Sequence, residues 1–154
     1  MTPAAPHPAR TGSVQPAHAT VLVFVLLGGA VGTMCRDAVS RAFPAAGTFP
    51  WVTFAINVSG AFLIGALLEG LLLSGSDRGW RRGARLGLGT GVLGGYTTYS
   101  TFALETAGQL LRGAVGTALA YAVGTVVAGF LAAYGATVVT RRASRFIGRR
   151  RKPS

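Results

Sequence analysis

The side chains that could do chemistry are concentrated in one stretch of an apolar chain, residues 91–105, which reads GVLGGYTTYSTFALE. Three glycines loosen this stretch, and four hydroxyl side chains crowd its middle, those of Thr97, Thr98, Ser100 and Thr101. Unpaired backbone groups cost several kcal/mol each in hydrocarbon, so a loosened helix persists at membrane depth only where protein buries it or water reaches it. The stretch therefore indicates a polar pathway or, alternatively, a packing face of small residues that another helix approaches closely.

Three further polar residues lie in other apolar segments. Asn57 stands in the run NVSGAFLIG, where an amide is costly unless it faces protein or water. We interpret Asn57 as a pore-lining hydrogen-bond donor, and the alternative is a polar contact between helices. Tyr121 and Thr125 are four residues apart and therefore share one helix face. They predict a polar stripe, unless their hydroxyls bond back to their own helix.

Two charged residues close apolar segments. Arg36 follows the first segment and Glu105 follows the third. Arg36 either marks the membrane interface or faces an aqueous vestibule, where it would attract anions. Glu105 precedes Gln109 by four residues on one helix face, so it either lines the same vestibule or simply caps the interface.

The composition indicates an integral membrane protein. The 154 residues have a mean hydropathy of +0.47, and the 12% that are charged sit at the ends and in short loops. The net charge of +11 does not indicate nucleic-acid binding, because the arginines flank apolar spans instead of forming a face with interleaved aromatics. A single cysteine, Cys35, and two histidines offer neither an internal disulfide nor a metal-ligand cluster.

Four apolar segments predict an all-α membrane protein with four transmembrane helices, and the third contains the polar stretch. The predicted spans are residues 19–35, 49–73, 84–104 and 114–139, joined by loops that include 38–48 and 74–83. We expect residues 1–18 to form a disordered cytoplasmic tail, residues 19–140 the transmembrane domain, and residues 141–154 a basic tail on the anionic leaflet. Four helices fill their own core and leave no lumen, so a polar path requires an oligomer.

Three runs in chain order, GGAVGTMCR, GTFPWVTFAINVSGAFLIG and GVLGGYTTYSTFALE, resemble the CrcB/Fluc fluoride channel family. The resemblance covers residues 27–105 and extends more weakly into the fourth span. It implies an antiparallel dimer with two narrow fluoride pores and a break in the third helix. It also implies a structural sodium ion (Na+) at the dimer interface, held by the backbone carbonyls of Gly94 and Thr97.

The same resemblance implies a set of pore residues. They are Asn57, Tyr99, Thr101, Phe102, Tyr121 and Thr125. The rings at positions 99 and 102 would line the pore, and Asn57 would donate hydrogen bonds to the ion. The family pattern reads TTFSTF, whereas here Tyr99 replaces the first phenylalanine, which keeps the ring edge and adds a hydroxyl.

The chemistry of fluoride agrees with these residues. Fluoride is small and strongly hydrated, so a pore must replace its water with hydrogen-bond donors, which Asn57 and the hydroxyls supply. Ring edges carry partial positive charge and can contact an anion. No lysine or arginine lies in residues 51–73 or 86–104, where a fixed cation would bind the ion too tightly.

Two other functions remain as alternatives. A small proton-coupled exporter needs a carboxylate deep in the first span, and here the first carboxylate is Asp37, at the end of that span. A non-conducting partner subunit would not need Asn57 and the hydroxyl residues at membrane depth. The sequence has no nucleophile–base pair or metal site that would suggest an enzyme.

The distribution of positive residues predicts orientation. Of 15 lysines and arginines, 12 fall on the side of both termini and the second loop, and three fall on the other side. The positive-inside rule therefore predicts a multi-pass protein of the cell membrane with both termini in the cytoplasm. Because each copy of a dual-topology homodimer inserts either way, such imbalance favours pairing with a homologous chain of opposite bias. The alternative is pairing of the chain with itself.

Overall fold

The computed structural model describes residues 16–44 and 47–150, and this part of the chain is helical without any strand. Its elements are α1 (Pro16–Ala42), α2 (Trp51–Ser74), α3 (Trp80–Ala84), a π-helix (Arg85–Leu93), α4 (Gly94–Tyr96), α5 (Tyr99–Leu111) and α6 (Val115–Arg150). The all-α prediction is therefore confirmed for the described residues.

Three of these helices are long and apolar enough to cross a membrane. The candidate spans are Ala19–Ala42, Trp51–Ser74 and Val115–Phe146. The third predicted span is instead a series of pieces, α3, the π-helix, α4 and α5, which we call the broken helix. Its interruption lies at Thr97 and Thr98, where the backbone is extended. The predicted break is therefore confirmed.

The two halves of the broken helix pack on different partners. The π-helix and α4 lie against α1, whereas α5 lies against α6, and α2 packs mainly on α6. The contact with α1 is made backbone to backbone. A Cβ atom added at Gly32 would collide with the carbonyl oxygen of Val92, and one added at Gly95 would collide with that of Gly29. Glycine is required at these positions by close approach.

Several predicted boundaries are wrong. α1 continues past Cys35 to Ala42, and a salt bridge of 2.8 Å between Asp37 and Arg41, one turn apart, lies on its added turns. The loop predicted at 74–83 is shorter because α3 begins at Trp80. The basic tail predicted from residue 141 continues α6 as far as Arg150. The predicted disordered tail lies outside the described residues over 1–15, and residues 16–18 are helical.

Glu69 is buried, although a glutamate near the end of a membrane span is expected to extend to the surface. The residue is only 5% exposed. Its carboxylate accepts hydrogen bonds from Arg141 of α6 at both oxygens, at 2.7 Å from Nε and 3.2 Å from Nη2. This two-point ion pair joins the ends of α2 and α6. Burial of an unpaired charge is costly, so the arginine is what permits Glu69 to be buried there.

The outer surface of the molecule is strongly apolar. Among the described residues, the buried hydrophobic side chains are only Ile56, Ala118, Tyr121 and Ala136. Large apolar side chains such as Phe24, Leu63 and Phe130 are exposed. This distribution is the one expected when lipid or a second chain, and not water, surrounds the helices.

Candidate functional site

The break in the broken helix is held by Asn57 of α2. The Asn57 Oδ1 atom accepts a hydrogen bond from the Thr98 backbone N–H at 2.9 Å, and its Nδ2 donates to the Thr98 carbonyl oxygen at 3.1 Å. The polar contact between helices, the alternative considered for Asn57, is therefore present. One of the two Nδ2 hydrogens is left over, because a primary amide carries two donors.

The extended backbone at the break leads directly into a capped helix. Thr98 is the N-cap of α5, since its hydroxyl accepts a hydrogen bond from the Thr101 backbone N–H at 3.2 Å. The same hydroxyl donates to the Thr101 Oγ1 atom at 3.0 Å. The many hydroxyls in this stretch thus have a local structural role. After the interruption, the Thr98 hydroxyl accepts a hydrogen bond from a backbone N–H of the first turn of α5 that would otherwise have no partner.

Two backbone carbonyls lose their helical donors at the break. The Thr98 N–H would continue the helix by bonding to Gly94, but it donates to Asn57. The Thr101 N–H would likewise bond to Thr97, but it donates to the Thr98 hydroxyl. Carbonyl oxygens are hard ligands of the kind that a sodium ion prefers. Gly94 and Thr97, the two residues that the family resemblance implies for sodium, therefore have the oxygens that such a site needs.

A cavity of about 380 Å³ lies beside the break. It is lined by Asn57 of α2, by Thr98, Tyr99 and Phe102 around the start of α5, and by Thr125 of α6. Gly94 and Thr97 also border it. Tyr99 is 81% exposed, so the cavity is open to the outside of this chain on the side of its ring.

A second cavity of about 400 Å³ lies on the other side of Thr98, which lines both. Arg36, Thr53 and Thr101 contribute to its wall. Asp37 also lies there, but its carboxylate pairs with Arg41. Arg36 forms no ion pair with any residue that the structure describes, so its positive charge is available to a solute in this cavity.

Glu105 is part of a hydrogen-bonded group and not a simple interfacial cap. Its Oε1 atom accepts from the Thr53 hydroxyl at 2.8 Å, and its Oε2 atom accepts from the Tyr121 hydroxyl at 2.6 Å. These bonds join α2, α5 and α6. The sequence interpretation did not include Thr53, although it precedes Asn57 by four residues and so lies on the same face of α2.

Aromatic rings surround the same group. The Phe102 ring centroid is 5.2 Å from that of Tyr121 and 6.1 Å from that of Tyr99. Thr125 donates its hydroxyl hydrogen to the Tyr121 carbonyl at 2.6 Å. The alternative of bonding back to the same helix is therefore correct for Thr125 and wrong for Tyr121, whose hydroxyl reaches Glu105.

Residues 23–137 match the model of a protein family described as CrcB-like protein, Camphor Resistance (CrcB). The chain belongs to the CrcB family. A relative in Leifsonia xyli subsp. xyli, named Fluoride-specific ion channel FluC 2, is 45% identical over 130 residues, which cover 81% of this chain and 90% of that one. The Novosphingobium aromaticivorans Fluoride-specific ion channel FluC is 48% identical over 114 residues, covering 71% and 87% respectively.

The predicted site residues of this CrcB chain fall into three neighbouring groups. Arg36 and Thr101 line one cavity, while Asn57, Tyr99, Phe102 and Thr125 line the cavity at the break. Tyr121 and Glu105 line neither cavity and lie behind them as a hydrogen-bonded pair. All ten residues singled out by the sequence therefore lie at or near the break, which the polar stretch itself creates.

Proposed function

We propose that this chain is a fluoride-selective ion channel that lets cytoplasmic fluoride leave the cell passively and so reduces its toxicity. The observation that carries this function is the family match, together with relatives named fluoride-specific ion channels that align over most of their own length. The function is transport across a membrane and not catalysis.

The two cavities supply the pathway in this proposal. Arg36 concentrates anions in the second cavity, where the hydroxyl hydrogen of Thr101 takes over a contact that water made. In the first cavity, beside the break, the free hydrogen of the Asn57 amide and the ring edge of Phe102 face the ion. Neither cavity has a lysine or arginine beyond Arg36, so the ion is not trapped at the break.

Glu105 acts in this pathway by orienting other groups. Its carboxylate fixes the hydroxyls of Thr53 and Tyr121, and Tyr121 in turn supports the Phe102 ring. Because both oxygens of Glu105 are occupied by donors, its negative charge is partly compensated. An anion can therefore pass nearby with less repulsion than a bare carboxylate would impose.

Passive export needs no energy source beyond the membrane potential. Neutral HF enters from acid surroundings and dissociates in the near-neutral cytoplasm, where the anion is trapped. A potential that is negative inside favours outward movement of each fluoride by about 2.3 kcal/mol per 100 mV. An open pore is sufficient under these conditions.

The test is fluoride efflux from vesicles that contain the purified chain, both alone and together with a homologous chain that pairs with it. We expect efflux to follow an imposed potassium diffusion potential at equal internal and external pH, with chloride as the control anion. Efflux that appears only with a proton gradient would support a proton-coupled exporter. No efflux in either preparation, from protein that remains folded and monodisperse, would support a non-conducting subunit.

In this proposal the broken helix also crosses the membrane, as the third of four spans in chain order, and an antiparallel dimer completes the pore. Residues 80–111 pack along α1, α2 and α6, the three candidate spans. The open side of the cavity at Tyr99 leaves room for a second chain. Pairing on this side would place the freed carbonyls of Gly94 and Thr97 at the dimer interface. When bound there, sodium would neutralise the carbonyl dipoles of the two breaks.

Both termini lie in the cytoplasm in this arrangement, and the partner is a homologous chain of opposite orientation. The support is the imbalance of positive residues, 12 against three. A reporter fused to the C-terminus tests the orientation. A signal from the cytoplasm alone is expected, whereas comparable signals from both sides would indicate a homodimer of this chain.

A further inference from the structure

A cavity of about 200 Å³ lies where α2 ends and the broken helix begins. Its apolar wall is formed by Leu68, Leu71 and Leu72, from the last turns of α2. Arg81 and Arg85 close it from the other side. None of these residues lines the two cavities of the proposed fluoride pathway, so this cavity requires its own explanation.

The cavity is lined by two arginines and one carboxylate. Asp77 forms a salt bridge with Arg85, with 2.9 Å between Asp77 Oδ2 and Arg85 Nη2. Arg81 forms no ion pair with any residue in the described ranges, and its Nη1 atom reaches the Ser76 carbonyl oxygen only at 3.5 Å. The Nε atom of Arg81 is shielded from solvent and has no hydrogen-bond partner. Because buried polar groups are nearly always satisfied in proteins, an acceptor from outside the chain fits here.

The two sides of the cavity specify the chemistry of that ligand. A phosphodiester presents two oxygens that match the planar fork of a guanidinium group. The leucines require an apolar chain beside it, and Leu72 is 71% exposed in their absence. Trp80 is exposed to a similar degree, at 67%. The guanidinium carbon of Arg81 lies 5.5 Å from the centroid of the Trp80 ring. Tryptophan at the end of a membrane span is typical of the depth of lipid headgroups.

We propose that this cavity binds one anionic phospholipid, with its phosphodiester on Arg81 and an acyl chain along Leu68 and Leu72. The loop contributes further positive charge from Arg78 and Arg82, which disfavours the cationic headgroups of zwitterionic lipids. Inorganic phosphate would satisfy Arg81 but would leave the leucine wall bare. The proposal goes beyond fluoride transport and does not depend on it.

Trp80 provides a local probe of the site. The chain has two tryptophans, so Trp51→Phe leaves Trp80 as the only one. This full-length variant would be reconstituted in phosphatidylcholine vesicles that contain a small, fixed fraction of brominated lipid, which quenches nearby tryptophans. Brominated phosphatidylglycerol is expected to quench Trp80 several times more than the same fraction of brominated phosphatidylcholine. Equal quenching by the two lipids would overturn the proposal.

Two substitutions in that background locate the binding group. Arg81→Gln is expected to weaken the preference for phosphatidylglycerol about tenfold, because it removes a charged hydrogen-bond donor. Arg82→Gln removes the same charge from the next residue, which does not line the cavity, and the preference should remain. If both variants lose it equally, the attraction is a diffuse effect of the basic loop and the site is wrong.

Two further measurements separate this proposal from other outcomes. Inorganic phosphate at millimolar concentration should leave the lipid quenching unchanged, and abolition of the quenching would indicate a phosphate site in place of a lipid site. The unfolding midpoint and the monodispersity of Arg81→Gln in detergent should equal those of the parent, which shows that the variant is folded. If Arg81→Gln does not fold, Arg81→Lys replaces it. Loss of the planar guanidinium should then weaken the preference for phosphatidylglycerol while Arg82→Gln keeps it, and an undiminished preference in Arg81→Lys would reject the site.

Discussion

The two halves of the broken helix are built by opposite means. The first half is attached to α1 by backbone-to-backbone contact, at glycines that leave no room for a methyl group. The second half, α5, is attached to α2 and α6 by side chains, through the hydrogen bonds of Glu105 and the rings of Phe102 and Tyr121. The glycine contacts fix the position of the first half but provide no side chain that could contact an ion. The second half provides hydrogen-bond donors and aromatic rings, and these side chains orient one another.

The difference explains why the candidate site lies at the junction. A close backbone contact resists displacement, so the first half can hold the freed carbonyls of Gly94 and Thr97 at a defined place. The second half carries the groups that the ion would touch. Substitutions in the first half should therefore damage folding, and substitutions in the second half should damage conduction more than folding.

The largest effect is expected from Gly32→Ala, which tests the first half. The added methyl would collide with the carbonyl oxygen of Val92, and overpacking of this kind costs about 1–3 kcal/mol or more. We expect a clearly lower midpoint of thermal unfolding and a lower yield of monodisperse protein in detergent. Gly29→Ala is the matched control, since its nearest neighbour would be 4.0 Å away. Similar behaviour of the two variants would contradict the described packing.

Asn57→Asp should have the next largest effect, because Asn57 bonds to the backbone of Thr98, between the two halves of the broken helix. The new carboxylate has no hydrogen to donate to the Thr98 carbonyl oxygen, and it would repel an anion. We expect fluoride efflux to fall at least about tenfold, together with some loss of stability. Ser59→Ala on the same helix should retain efflux, since its exposed hydroxyl contacts Tyr96 and its own helix. Normal efflux in Asn57→Asp would place the pathway elsewhere.

Phe102→Ile tests whether the second half serves conduction more than folding, because it removes an aromatic ring and keeps a bulky side chain. The loss of ring edges and of the contact with Tyr121 should lower efflux roughly threefold to tenfold, with little change in the unfolding midpoint. Phe130→Ile on the exposed surface of α6 is the control, and both efflux and stability should be unchanged. A large drop in the unfolding midpoint of Phe102→Ile would mean that this ring has a structural role, like the glycines of the first half.

Tyr99→Phe should have the smallest effect. The side chain is largely exposed, and no hydrogen bond of its hydroxyl is found within the described part of the chain. We expect efflux to be equal to that of the parent or up to about twofold higher. Tyr134→Phe, which removes the hydroxyl of another exposed tyrosine, is the control. Comparing the efflux of the two variants shows whether loss of a hydroxyl matters only at the break. A strong decrease specific to Tyr99→Phe would make the hydroxyl part of the pathway.

Much of this arrangement could be predicted from residue types. The span around Asn57 was expected at 49–73 and is found at Trp51–Ser74, because a long apolar run between proline and a small polar turn leaves few choices. The break was expected from glycines and hydroxyls in an apolar segment, and it is found two residues after Gly95. Local composition was sufficient in both cases.

Features that depend on distant residues could not be predicted in the same way. The ion pair of Glu69 joins residues 72 positions apart, and nothing near Glu69 in the sequence indicates an arginine on α6. The π-helix depends on how α1 packs against Arg85–Leu93, and its glycines alone do not distinguish it from an α-helix. The charge of Arg36 does not mark the end of α1, which continues to Ala42, because an arginine can extend from a continuing helix to the interface.

The pairing of Glu69 with Arg141 also has a consequence for the order of events during synthesis. Translation proceeds from α2 towards α6, so a nascent chain carries the carboxylate before its arginine exists. Until then, Glu69 must stay hydrated, because an unpaired charge is costly in hydrocarbon. The end of α2 therefore cannot settle into its final buried position before the ribosome has made α6, and closure of this side of the bundle is a late step in biogenesis.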